Sequence, residues 1–217
     1  MIGVMNSMQI LRGWAARHAQ WLAVAGLLGA PQAMAANEYA NSPLVGEFIT
    51  EMTRDYGFAS EQLTTLFADV ERKQAILDAI SRPAERVKPW KEYRPIFITD
   101  ARINKGVAFW NEHAEALARA EKEYGVPAEI IVAIIGVETS YGGNTGNYRV
   151  IDALSTLAFD YPPRAPFFRK ELREFLMLTR EEQVDPASLK GSYAGAMGLP
   201  QFCLLYTSDA ADDLLCV

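Results

Sequence analysis

The chain has 217 residues, half of them hydrophobic, and a formal charge of -6. That length permits one large domain or two small ones with a sizeable core, and the negative balance argues against a nucleic-acid binder. The histidines are His18 and His113, and the cysteines Cys203 and Cys216 fall in the last fifteen residues, so no zinc-type cluster and no upstream disulfide framework can form. The chemistry open to such an inventory is carboxylate chemistry, with no metal and no cofactor expected.

Residues 1–35 read as a signal peptide. Arg12 and Arg17 supply the positive region, Trp21 to Ala30 a short apolar region, and Ala33-Met34-Ala35 a cleavage site before Ala36. The apolar stretch is too short to span a bilayer. Without a cysteine near the cleavage site to carry a lipid anchor, the expected location is periplasmic. From Pro43 helical spacing takes over: Leu44, Phe48, Ile49 and Met52 run to Gly57. Ser60 is a suitable N-cap for a second helix through Leu63, Leu66, Phe67 and Val70, and Ala75, Ile76, Ala79 and Ile80 continue the pattern. Pro83, Pro89 and Pro95, with Trp90 and Tyr93 between them, predict an extended packed connector. One long helix is predicted next, with Val107, Trp110, Ala114, Leu117 and Tyr124 in a stripe and His113 on its surface. Gly125 ends it.

Pro127 opens the most informative stretch. Ile130-Ile131-Val132-Ala133-Ile134-Ile135-Gly136-Val137 has no polar face, so a helix buried all round is predicted, with Glu138 emerging near its C-terminal end. Burial and the negative end of the helix dipole both disfavour the carboxylate, and together they would poise Glu138 as a protonated general acid. Ile151 to Phe159 forms a further helix, and Pro166 opens another with Phe168, Leu172, Phe175 and Leu176 inward. No alternating strand pattern longer than a few residues occurs, and the predicted fold is mainly α. Two polar, glycine-rich stretches interrupt it, Thr139 to Arg149 and Gly191 to Phe202. Their tyrosines, among them Tyr141 and Tyr193, suit the apolar face of a sugar, and their amides and hydroxyls suit its polar groups.

Gly-Val-Glu-Thr-Ser-Tyr-Gly at 136–142 and Gly-Ser-Tyr-Ala-Gly-Ala-Met-Gly-Leu-Pro-Gln-Phe at 191–202 resemble the membrane-bound lytic murein transglycosylase B family. The likeness runs from about Pro43 to Phe202, including Trp90, the Asn144-Thr145-Gly146 turn and Ala153 to Ala158. It implies a lysozyme-like catalytic domain acting on peptidoglycan glycan strands, with Glu138 as the single acid/base. It also implies sugar contacts from Ser192 and Gln201, with Tyr193 in the same loop. Arg164 falls where the family often carries adjacent arginines near the stem peptide; its predecessor here is Pro163. The implied reaction cleaves the MurNAc–GlcNAc bond with closure of a 1,6-anhydro ring. Asp152 and Asp160 are candidate second carboxylates on spacing alone, with a local capping or pairing role as the alternative. Cell-wall synthesis or divisome proteins are candidate partners.

After Phe202 the resemblance stops, and 203–217 read as an unrelated tail. The expected organisation is a signal peptide at 1–35, an N-terminal helical region at 36–100, an incomplete lysozyme-like catalytic domain at 101–202 and the tail at 203–217. The chain by itself is expected to be inactive. Two competing readings are a hydrolysing muramidase and a non-catalytic peptidoglycan-binding module.

Overall fold

The computed structural model describes residues 38–82 and 88–204. These belong to one compact unit, Ala35–Val217. The expected leader, Pro83, and residues 205–217 of the tail lie outside the described residues. The described chain is mainly helical, with a single pair of two-residue strands. Helices α1 (Pro43–Tyr56), α2 (Ser60–Ala68) and α3 (Gln74–Ile80) follow one another through short turns. Pro43 opens α1, and Gly57 closes it at φ 69°, a left-handed conformation that glycine adopts without strain. Ser60 is the first helical residue of α2 rather than its N-cap, because Ala59 takes the extended cap conformation.

Two predictions in the middle of the chain are corrected. Trp90 to Phe97 is a helix, α4 (Trp90–Phe97), not an extended connector. Pro89 sits in the N-cap position, where its fixed φ suits a helix start, and Pro95 is held inside the helix. The predicted long helix is two: α5 (Asp100–Glu112) and α6 (Ala114–Tyr124), separated at His113. Thr99 caps α5 by accepting a hydrogen bond from the Arg102 amide, and the Phe109 and His113 rings lie 4.3 Å apart at the break. The break rotates the apolar stripe, so Phe109 and Leu117 are buried while Val107, Trp110 and Tyr124 are exposed.

Then come α7 (Ala128–Thr139), β1 (Tyr148–Arg149), α8 (Val150–Asp160), α9 (Ala165–Glu181) and β2 (Lys190–Gly191), with β1 antiparallel to β2 and Tyr148 opposite Gly191. The helix buried all round is α8, whose residues 150–159 are all buried. In α7, Val132, Ile135 and Gly136 are buried, whereas Ile130, Ile134 and Val137 are about half exposed. Two separate cores explain this. The larger joins Phe48, Phe67 and Ile76 of the first three helices to Leu154, Leu157, Leu172 and Phe175 of α8 and α9. The smaller is built from Phe109, Leu117, Ala128, Val132 and Ile135, which pack α5 and α6 against one side of α7 only.

The two aspartates of α8 are engaged locally. Asp152 is buried and accepts from the Glu71 amide at 3.1 Å, with Arg149 and Lys73 at 3.6 and 3.8 Å. Burial raises its pKa above the ordinary carboxylate range, against the opposing pull of that amide and those two cations. Asp160 accepts from the Tyr39 hydroxyl and pairs with Arg72 at 3.4 Å.

Candidate active site

The site is organised by the way α7 ends. Ser140, Tyr141 and Gly142 take φ of 51°, 60° and 82°, three successive left-handed residues that reverse the chain directly after the helix. The Ser140 amide bonds back to the Ile135 carbonyl, and the Asn144 amide to the Thr139 carbonyl at 2.9 Å. Such a conformation is unfavourable for residues with a Cβ and persists where surrounding contacts hold it. Two contacts hold it here. The Thr139 hydroxyl accepts from the Gly142 amide at 3.0 Å and faces the Leu199 carbonyl at 2.9 Å, which ties the helix end to the distant 191–202 loop. The Tyr141 ring enters a notch made by two glycines: its hydroxyl lies 2.6 Å from where a Cβ of Gly106 would be and 2.5 Å from that of Gly136.

The second loop is folded on itself and on the first. The Ser192 hydroxyl accepts from the Ala194 and Ala196 amides, at 3.3 and 3.0 Å. Gln201, at φ 50°, donates through Nε2 to the Thr145 and Gly198 carbonyls, both at 3.1 Å. Gly146 meets Gly191 so closely that a Cβ at Gly146 would lie 2.0 Å from the Gly191 carbonyl oxygen. Beneath the loop, Leu154 of the larger core fills the space that a side chain at residue 195 would need.

Of the residues singled out from sequence, Glu138, Tyr141, Ser192 and Gln201 therefore belong to one connected arrangement, in which the 139–147 turn and the 191–202 loop meet at the C-terminal end of α7. Glu138 is exposed, so the burial expected of it is absent; its helix is uncovered on the side that carries Ile134 and Val137. Tyr193 is an exposed side chain of the second loop. Arg164 lies before α9 with its guanidinium 4.5 Å from the Phe167 ring centroid and 5.4 Å from that of Phe168. Two features escaped sequence reasoning. Thr139 carried no signal beyond its place beside Glu138. Trp90 and Tyr93 were read as connector residues, yet with Phe97 their spacing of three and four is helical, and the three line a cleft of about 530 Å³ with Gly136, Val137 and Tyr141. Among the described residues, no group of three or more His, Cys, Asp or Glu side chains could hold a metal ion.

Comparison with known proteins gives a consistent set of likenesses. Residues 40–213 match the family model described as the transglycosylase SLT domain, a match that reaches past Phe202. The chain is 45% identical over 174 residues to the membrane-bound lytic murein transglycosylase B of Escherichia coli K12, covering 76% of this chain and 48% of that protein. It thus spans about half the length of this curated relative. Among solved structures, soluble lytic transglycosylase SltB1 from Pseudomonas aeruginosa matches with 77% identity and a TM-score of 0.75, over 78% of this chain and 58% of that one. The E. coli lytic transglycosylase Slt35, solved in complex with bulgecin A, matches with 44% identity and a TM-score of 0.73, over 81% and 57% of the two chains. The fold is the lysozyme-like SLT fold of these structures. No described helix is long and apolar enough to cross a membrane.

Proposed function

Because the chain belongs to the transglycosylase SLT domain family, we propose that it carries the acid/base site of a peptidoglycan lytic transglycosylase, with Glu138 as the single catalytic carboxylate. The observation that carries the reading is the position of Glu138. It is the penultimate residue of α7, where the strained turn and the folded second loop converge and are tied together through Thr139 and Gln201.

In this reading Glu138 protonates the glycosidic oxygen between MurNAc and GlcNAc, and the bond to C1 breaks with oxocarbenium character. Glu138, now a carboxylate, takes the proton of the MurNAc C6 hydroxyl as that oxygen bonds to C1. The proton balance closes on one residue, so the second flanking carboxylate of ordinary glycosidases has no role. The occupied positions of Asp152 and Asp160, each engaged in local pairing, support that assignment. The Ser192 hydroxyl, which accepts from two amides, keeps its own proton to donate to a sugar. Gln201, with both amide hydrogens engaged, offers its carbonyl oxygen to a sugar hydroxyl. Tyr141 and Tyr193 offer rings, and Arg164 a charge for the peptide. The same reading places the protein in the periplasm, with the leader removed after Ala35.

The test uses a version extended to the full length of the E. coli relative, acting on purified sacculi. Anhydro-ended products that vanish on Glu138→Gln are expected. Reducing ends would favour a hydrolysing muramidase. Tight binding to sacculi with no soluble product, unchanged by the substitution, would favour a binding module.

A further inference from the structure

Among the described residues, the lining of the cleft beside α7 includes two guanidinium groups and no carboxylate. Its lining includes Arg94 from α4 and Arg102 from α5, with the rings of Trp90, Tyr93 and Phe97. Neither arginine forms a salt bridge among the described residues, whereas Arg54, Arg72, Arg149, Arg169 and Arg173 each reach a carboxylate. Arg102 lies 5.2 Å from the Phe97 ring centroid, and its Nη1 is buried with no hydrogen-bond partner among the described residues. A buried N–H donor without an acceptor is destabilising, and the more so on a charged group. Guanidinium is the side chain whose planar fork matches a carboxylate. The neighbouring rings supply stacking surface: Trp90 and Tyr93 centroids are 6.3 Å apart, Tyr93 and Phe97 4.9 Å, and Trp90 and Tyr93 are largely exposed.

We propose that this cleft binds a carboxylate carried on a sugar ring or short peptide, with Arg102 as its anchor, Arg94 as a second cation and the aromatic ladder holding the body of the ligand. The choice of ligand rests on the murein reading above. Two sources offer the same chemistry there, the lactyl carboxylate of a muramic acid and a carboxylate of the stem peptide. In either case Arg102 determines specificity, by favouring peptide- or lactyl-bearing material over a neutral glycan.

Binding to the 217-residue chain distinguishes these outcomes. N-acetylmuramic acid, its methyl ester, a stem pentapeptide and the neutral glycan chitotetraose are titrated by NMR against the wild type, Arg102→Gln and Arg102→Lys. At least one acid should bind, with N-acetylmuramic acid roughly ten-fold tighter than its ester if the lactyl group is the source. Arg102→Gln should abolish that preference, or the pentapeptide affinity if the peptide is the source. Arg102→Lys should restore part of it, while chitotetraose binding and the melting temperature stay as in the wild type. Affinities for the acids that are unchanged by Arg102→Gln would overturn the inference. If chitotetraose binds and neither acid does, this inference alone fails. If no glycan or acid binds, this inference fails as well, while the proposed function stands or falls by the sacculus assay of the extended protein.

Discussion

Helices α7 and α8 are both apolar, and they meet opposite fates. By composition α7 is the stronger candidate for complete burial: eight consecutive residues from Ile130 to Val137 contain no polar side chain. Yet α8, which carries Asp152, Ser155 and Thr156, is the one buried throughout, while α7 leaves a face uncovered. The difference lies in the neighbours. α8 is enclosed by α3, α9 and the strand β1, and the turn before α3 supplies two of its polar groups with partners, the Glu71 amide for Asp152 and the Lys73 amide for Thr156, while the Ser155 hydroxyl is buried without a hydrogen bond among the described residues. α7 is packed by α5 and α6 on one side. Apolar composition states what a helix gains by burial; the number of elements available to cover it decides whether the burial occurs. The consequence is a division of labour, in which α8 anchors the fold and α7 presents Glu138, the proposed acid/base, at an end beside an open cleft.

That division can be broken at its functional end. In the extended protein, Glu138→Gln is expected to lower the release of soluble fragments from sacculi by about 10²–10⁴-fold, because the amide can neither donate nor accept the proton. The thermal melt should not move, since Glu138 is exposed. A lost fold, or retained activity, would remove the site from α7.

At the structural end, Leu154→Ala in α8 should destabilise the chain by about 2–5 kcal/mol by chemical denaturation, as for a large core side chain cut to a methyl. Leu154 also fills the space beneath Gly195, so slower-exchanging amides of the 191–202 loop should lose protection in the same variant. A loss below about 1 kcal/mol would show that α8 is less of an anchor than its burial suggests.

Between the two lies the notch that seats Tyr141. Gly136→Ala places a methyl 2.5 Å from the Tyr141 hydroxyl. The clash should outweigh the better helix propensity of alanine and destabilise by about 1–3 kcal/mol. Tyr141→Leu in that background should recover part of the loss, a non-additivity that a double-mutant cycle measures. Additive effects would mean that the ring and the notch are independent.

The smaller effects sharpen the contrast. Asp152 has a raised folded-state pKa, so its contribution to stability is fully present below the ordinary carboxylate range and is lost as pH rises through the folded value. The melting temperature of the wild type relative to Asp152→Asn, which titrates no proton, should therefore decline as pH rises across that window. A steeper decline in the variant would contradict the sign. Smallest of all, Ile134→Ala on the open face of α7 should change stability by no more than about 0.5 kcal/mol, against several for the buried leucine of α8. A loss as large as that of Leu154→Ala would show the face to be covered in solution.

The sequence alone determined the helical class, most helix positions, the inward face of α9, and the two loops that meet at the site; in α1 it found Phe48 and Met52 but placed the exposed Leu44 on the stripe that Val45 in fact buries. Helical periodicity and glycine at chain reversals are local effects, and they survive in a string of letters. Tertiary structure decided the rest. Trp90 to Phe97 looked extended because prolines flank and interrupt it, but Pro89 sits at a helix cap, where its ring does no harm. The stripe from Val107 to Tyr124 looked continuous because periodicity cannot register the turn at His113. Glu138 looked buried because its helix is apolar. Its exposure, the coupling of Thr139 to Leu199 sixty residues away, and the Arg102 Nη1 left without a hydrogen bond among the described residues all depend on which elements pack against which. Packing between segments distant in the chain is a property of the folded whole, and no local pattern encodes it.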